Sequence, residues 1–166
     1  LTGPALAAKI DNHWGARPQW GLERTDIVFE ELVEGGLTRY VAVWYSDVPD
    51  KIGPIRSIRP MDPDIISPLG GIVAYSGGKA QFVSMMRDTE VHNAIHGGKD
   101  DRFMYRSTNK RAPHNVVVEA TKLRAAYASL AAPVQQFEYP VVSTMSTTPL
   151  FGTAAKGLDL KFSTSS

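Results

Sequence analysis

The stretch "RTDIVFEELVEGGLTRY", residues 24–40, decides the fold, because it puts four carboxylates and two arginines into a segment otherwise apolar enough for a core. Two runs rich in Val, Ile, Phe, Tyr and Trp flank Gly35-Gly36 between residues 26 and 46, which is the pattern of a hairpin with a two-residue turn. The rival is a helix over 25–34, with Val28, Phe29, Leu32 and Val33 at helical spacing, Thr25 or Asp26 as N-cap and Gly35 just past the end. The hairpin is preferred. It sets Leu32 against Arg39 and makes Glu30 and Glu34 diagonal neighbours of that arginine on one face. In the helix the same two glutamates stand at i and i+4, so both readings present them together.

Working outward, "PALAAKIDN" (4–12) reads as an apolar strand ending in Asp11 and Asn12, and "HWGARPQWG" after it as a loop with two of the three Trp. "KIGPIRSIRP" is extended, since Pro60 biases Arg59 away from helical dihedrals. "GIVAYSGG" (71–78) is a buried strand, and "KAQFVSMMRD" (79–88) a helix turning Phe82, Met85 and Met86 inward. "NVVV" is a short strand or turn, and "EATKLRAAYASL" (119–130) a helix with Leu123, Tyr127 and Leu130 on one face. The fold class expected is α/β in the broad sense (α+β), a mixed β-sheet with a hairpin and a few flanking helices. Residues 1–135 form one domain. Residues 136–166, rich in Pro, Ser and Thr, read as a linker, with "LDLKF" at 158–162 as the first strand of a second domain.

Composition narrows the function classes. Eighteen Lys and Arg against seventeen Asp and Glu give a net charge of +1, so no global field draws the chain to nucleic acid, and any electrostatic role is local. With no Cys there is neither a disulfide framework nor a thiolate zinc site nor a cysteine nucleophile. The sequence has no apolar run long enough to span a bilayer and no secretory leader, and its start at Leu1 is read as lying downstream of a removed segment.

Several constellations carry chemistry. Arg17, Arg56 and Arg59, with Arg106, Lys110 and Arg111, are candidate anion ligands, because guanidinium forks bind carboxylate or phosphate bidentately. Ser76 and Gly77 in "YSGGK" lie between a strand and a helix N-terminus, where free amides hold anions, although the spacing is not that of a Walker loop and a plain tight turn fits as well. His92 and His96 have i, i+4 spacing but no third ligand, so no metal site is expected and a solvent-facing pair is favoured. His114, between Pro113 and Asn115, is placed to act as general acid or base or as an oxyanion donor.

Taken in order, "IDNHWGARPQWGL", "TDIVFEELVEGGLTRYVAVW", "IGPIRSIRP", "AYSGG" and "RAPHNVV" resemble the N-terminal domain of the YerB-like lipoproteins of bacteria, over about residues 1–120. The resemblance implies no activity, as that family is one of unknown function. It implies an extracytoplasmic domain lipid-anchored at the bacterial membrane, with signal and lipidated Cys outside this sequence, and it marks Asp11, Asn12, Arg17, Pro18, Glu30, Glu34, Gly35, Gly36, Arg39, Arg56, Arg59, His114 and Asn115 as recurrent.

Three functions follow as expectations. The first is binding of an anionic small molecule or cell-wall fragment, such as a wall polymer, glycan or peptide, through Asn12, Arg17, Arg39, Arg56, Arg59, Ser76, Gly77 and Asn115. The second is hydrolysis of a glycosidic or phosphodiester bond, with Asp11, Glu30 or Glu34 as base or nucleophile and His114 as proton donor. The third is a scaffold for other envelope proteins. No cofactor, metal or nucleic-acid partner is expected, and contact with a membrane only through the lipid anchor.

Overall fold

The computed structural model describes residues 2–137, together with 152, 153, 155–157 and 159. Its centre is a five-stranded sheet in the order β2-β3-β1-β5-β6, made of β1 (Leu6–Asp11), β2 (Ile27–Leu32), β3 (Thr38–Trp44), β5 (Ile72–Tyr75) and β6 (His92–Ile95). β3 runs antiparallel to both β1 and β2, while β5 and β6 run parallel to β1. A smaller antiparallel sheet, β4 (Lys51–Ile52), β8 (Val116–Glu119) and β7 (Met104–Arg106), is in the order β4-β8-β7. The helices are α1 (Asp62–Ile66), α2 (Ala80–Arg87) and α3 (Ala120–Ala126). The mixed sheets and short helices make an α+β fold, as the sequence indicates.

The central sheet is covered on both faces. Leu6, Ala8, Ile10, Ala42 and Trp44 pack with Ile52, Val116, Val118 and Leu123 of the small sheet and α3. Ala7, Val41, Val43 and Val73 point the other way, into a second core with Ile58, Ile66 and Met86 around α1 and α2. Side chains alternate across a strand, so β1, buried at all six positions, contributes to both cores.

The hairpin is present and the helix over 25–34 is not, but the turn is longer than expected. Leu32 pairs with Thr38 and Glu31 with Arg39, which leaves residues 33–37 as the connection, closed by Val33 N–H donating to Leu37 O at 2.8 Å. Gly35 and Gly36 take φ of 75° and 71° within it. The added turn residues shift the register by one, and because side chains alternate, that moves the glutamates: Glu31, not Glu30, shares Arg39's face. The expectation that Glu30 and Glu34 flank Arg39 on one face is therefore corrected.

Further differences have local causes. Met85 lies on the outer side of α2, 44% exposed, whereas Met86 is fully buried; the two are adjacent in a helix and cannot both face inward. α3 ends at Ala126, and Tyr127 and Leu130 join the core from a turn beyond it. His92 begins a strand, so the four residues to His96 span about 13 Å rather than one helical turn, and the two imidazoles cannot share an ion. His92 instead bonds Asp100 at 2.8 Å and packs its ring, tilted by 35°, against Tyr127, while His96 lies 3.4 Å from Ser76 Oγ; neither is a free surface group. Among the described residues no group of three His, Asp or Glu is placed to hold a metal, and no helix is long and apolar enough to cross a membrane. Of the strand expected at 158–162, all but residue 159 lies outside the described residues, and residue 159 is in no strand.

Two glycines separate backbone strain from close approach. Gly35 has open space where a Cβ would stand, whereas a Cβ on Gly71 (φ 71°) runs into the carbonyl oxygen of Ala5, the residue just before β1. Gly35→Ala should cost only the left-handed backbone term, about 1–2 kcal/mol. Gly71→Ala should destabilise clearly more in urea unfolding, and equal losses at the two positions would disprove the close contact as its cause.

Candidate functional site

β1, β5 and β6 end on the same edge of the sheet, where β3 begins, and this edge collects most of the polar residues singled out in the sequence. In α/β sheets the carboxyl ends of parallel strands are the usual place for a ligand, because the chain diverges there into loops. Asp11, the last residue of β1, is almost fully buried. Its Oδ1 accepts the His13 backbone N–H at 3.0 Å, and its Oδ2 accepts from His114 Nδ1 at 2.6 Å. Arg56 Nε lies 3.4 Å from that same Oδ2, within ionic range but outside hydrogen-bond geometry, which leaves this buried N–H without a partner.

On one side of Asp11 stands an arginine cluster. Asp11, Arg39 and Glu31 form a register row across β1, β3 and β2. Above it, "RSIR" is held as a strand-like extension: Arg56 N–H donates to Lys9 O, Ser76 N–H to Arg56 O and Ile58 N–H to Gly77 O. Arg59 is neutralised by Glu34, donating from Nε at 3.0 Å and Nη2 at 2.6 Å. Arg39 is not. The residue is 8% exposed, its Nη1 donates to Ser57 O at 3.1 Å, and among the described residues no carboxylate lies within 4.0 Å of it. Burial, and then repulsion from Arg59 and Arg56, push its pKa down to about 10.

On the other side lie Asn12, Arg17 and Glu30. Asn12 Oδ1 accepts from Arg17 Nε and Nη2 at 3.1 and 2.7 Å, and its Nδ2 donates to Thr38 Oγ1 at 2.7 Å and Glu30 Oε1 at 3.3 Å. Glu30 also accepts from Thr38 Oγ1 at 2.6 Å, so it braces Asn12 rather than facing the arginines. His13 and His114 stack with ring centroids 4.2 Å apart at 9°. Gly15 N–H donates to His13 Nδ1 at 3.0 Å, which leaves the ring proton of a neutral His13 on Nε2.

The twelve candidates therefore divide. Asp11, His114, Arg39, Arg56, Arg59 and Glu34 form one continuous group, joined through Asp11 to Asn12, Arg17 and Glu30. Ser76 and Gly77 stand beside it, with the Ser76 N–H committed to Arg56 O. Asn115 does not face the group: its Oδ1 accepts from Arg106 Nη1 at 2.8 Å and its Nδ2 donates to Ser107 O at 3.0 Å, tying β7 to β8.

One neighbouring network went unread in the sequence. Lys9, fully buried in the middle of β1, donates Nζ to Asp62 Oδ1 at 2.7 Å and pairs with Glu31 through a hydrogen-bonded ion pair. Asp62 Oδ2 also accepts the Arg59 N–H at 2.5 Å, fixing the arginine loop to the network. The signal was a lone lysine inside "LAAKID", a strand otherwise apolar up to its last residue. Two buried carboxylates share one ammonium here. Desolvation, followed by the charge of Asp62, pushes the Glu31 carboxyl up to about 7, and its Oε1 has no partner.

The arrangement defines a class: an α+β domain carrying a cation-rich polar site at the carboxyl edge of its central sheet. The chain belongs to the family described as "Protein of unknown function (DUF3048) N-terminal domain", which matches residues 2–133. Over 114 residues it is 33% identical to "Putative lipoprotein YerB" of Bacillus subtilis (strain 168), a match that takes in 66% of this chain and 33% of that protein. The crystal structure of the Bacillus subtilis YerB protein is similar with a TM-score of 0.69 at 27% identity, covering 75% of this chain and 43% of that one. The chain thus matches less than half the length of the YerB protein, by sequence and by structure alike.

Glu31 gives this site a pH signature. Its folded pKa lies above its ordinary 4.5, so between pH 4.5 and about 7 the folded chain holds a proton that the unfolded chain has released. The contribution to stability is complete below pH 4.5 and is lost as pH rises through about 7. Melting curves across that window should show Glu31→Gln flattening the decline relative to the parent. Parallel profiles would show that Glu31 does not retain the proton.

Proposed function

We propose that the domain binds the anionic group of a small molecule or cell-wall fragment between Arg39, Arg56 and Arg59. The observation that carries this reading is Arg39, a buried residue whose guanidinium is crowded by two like charges and has no carboxylate within salt-bridge distance among the described residues. A buried charge lacking a partner costs several kcal/mol, and an arriving carboxylate or phosphate supplies what is missing. The orphaned Arg56 N–H beside it argues in the same direction. For placement, the lipoprotein name of the Bacillus subtilis relative supports an extracytoplasmic domain at the bacterial membrane, held by a lipid anchor outside this sequence.

A specific observation also favours a second reading, hydrolysis of a glycosidic or phosphodiester bond. The Asp11 carboxylate fixes His114 Nδ1, which leaves Nε2 as the nitrogen that can exchange a proton, and His114 lines an open cleft. Binding is the primary reading because it requires no nucleophile beyond the residues already described.

Arg39→Met tests the binding reading. A structural arginine destabilises the fold when removed, whereas one kept for a ligand relieves the fold of a buried charge. The variant should melt at or above the parent temperature and lose about 2 kcal/mol of affinity, roughly thirtyfold, for inorganic phosphate or galacturonate in calorimetric titration. A lower melting temperature, together with no anion binding by the parent, would sink the proposal.

A further inference from the structure

Beside the arginine cluster lies a cleft of about 480 Å³ whose lining includes His13, Trp14, Arg17, Lys110, Arg111 and His114, with no carboxylate among its lining residues. It adjoins the proposed anion site directly, because Arg56 and His114 approach the same oxygen of Asp11. We infer that this cleft is a second subsite, which takes the next ring of an acidic sugar chain whose first anionic group sits on the arginines. The inference rests on the anion-binding reading and adds the class of ligand.

Three features carry it. Trp14 is 80% exposed, the most exposed of the large apolar side chains described, at the lip of a cleft rather than over a core. An exposed indole at a binding edge suits the apolar face of a ring whose edge stays wet. The stacked imidazoles supply complementary polar edges. His13 Nδ1 is occupied by Gly15 N–H, so a neutral His13 offers Nε2–H as a donor; His114 Nδ1 is occupied by Asp11, so a neutral His114 offers Nε2 as an acceptor. A donor and an acceptor side by side match neighbouring sugar hydroxyls, each of which both donates and accepts. The cations set the sign of the substituent: Arg111 is exposed and has no side-chain partner among the described residues, Lys110 Nζ donates to Arg17 O at 2.9 Å, and the Arg17 guanidinium is held by Asn12.

Single-stranded nucleic acid also combines phosphates with stacking bases, but it is held by a groove of positive charge that tracks several nucleotides along several aromatic platforms. Here one exposed indole and a net charge of +1 favour a short, sparsely charged chain.

The test is calorimetric titration of the described domain within the intact chain, using galacturonate, tetragalacturonate, maltotetraose and oligo(dT) as probes, on the parent and on Trp14→Ala. The parent should bind tetragalacturonate at least tenfold more tightly than galacturonate and leave maltotetraose weak. Trp14→Ala should bring the tetramer-to-monomer ratio close to one, with an unchanged melting temperature showing that the exposed side chain left the fold intact. Equal affinity of the parent for monomer and tetramer, or a ratio unaltered by Trp14→Ala, would remove the second subsite while leaving the arginine site standing. Tighter binding of oligo(dT) than of tetragalacturonate would overturn the sugar assignment. Failure of the parent to bind galacturonate or phosphate at all would instead count against the arginine site.

Discussion

Burial of β1 on both faces is the constraint from which the rest of the domain follows. A strand enclosed between two cores has no water to serve its polar side chains, so each charge in it must be met by the protein. Lys9 and Asp11 are the two charges it carries. Lys9 draws in Glu31 from β2 and Asp62 from the start of α1, and Asp11 draws in His114 and Arg56. Between them, these two residues fix the position of the hairpin, the arginine loop and the segment before β8. The arrangement of these polar residues is thus a product of how the central strand's charges are satisfied.

Within that frame the charges are not balanced locally. Around Lys9 there is one carboxylate too many, and burial together with the charge of Asp62 pushes the Glu31 carboxyl up to about 7. Around Arg39 there are guanidiniums in excess, and an always-charged guanidinium has no comparable remedy under physiological conditions. The two imbalances are neighbours, since Glu31 and Arg39 are paired across β2 and β3, yet no salt bridge joins them. Lys9 and Asp62 hold Glu31, and Arg39 turns toward Ser57 O. That separation keeps the arginine cluster cationic.

How much of this was legible depended on whether a feature was local. The strands at 4–12 and 71–78, the hairpin and the helix after "YSGG" follow from short-range patterns of apolar residues and glycine, and they stand in the structure. The gathering of Arg39, Arg56 and Arg59 near Asp11 and His114 was also anticipated, from residue types that bind anions and from family resemblance. What failed was register. A five-residue turn in place of two put Glu31 opposite Arg39, where Leu32 was expected with Glu30 and Glu34 as diagonal neighbours, and no local signal separates the two registers. The Lys9 network was missed because a single lysine in an apolar strand reads as an edge residue until the strand is known to be central. The side-chain partners of Asn115 were hidden for a related reason: Arg106, the last residue of β7, and Ser107 just after it reach Asn115 only through a strand pairing that the sequence does not announce.

The bond between Asp11 and His114 joins residues 103 positions apart, and β1 meets β5 only after the whole hairpin and α1 have intervened. The hairpin, by contrast, closes across five residues. Loop-closure entropy makes the local pairing the early event and the parallel pairing late, and the small sheet that carries His114 into place comes from still further along the chain. The hairpin strands can therefore pair before the residues of the candidate site have met. Asp11 and His114 come together only once the segment before β8 has docked, so completion of this polar edge reports the closing of the whole described domain.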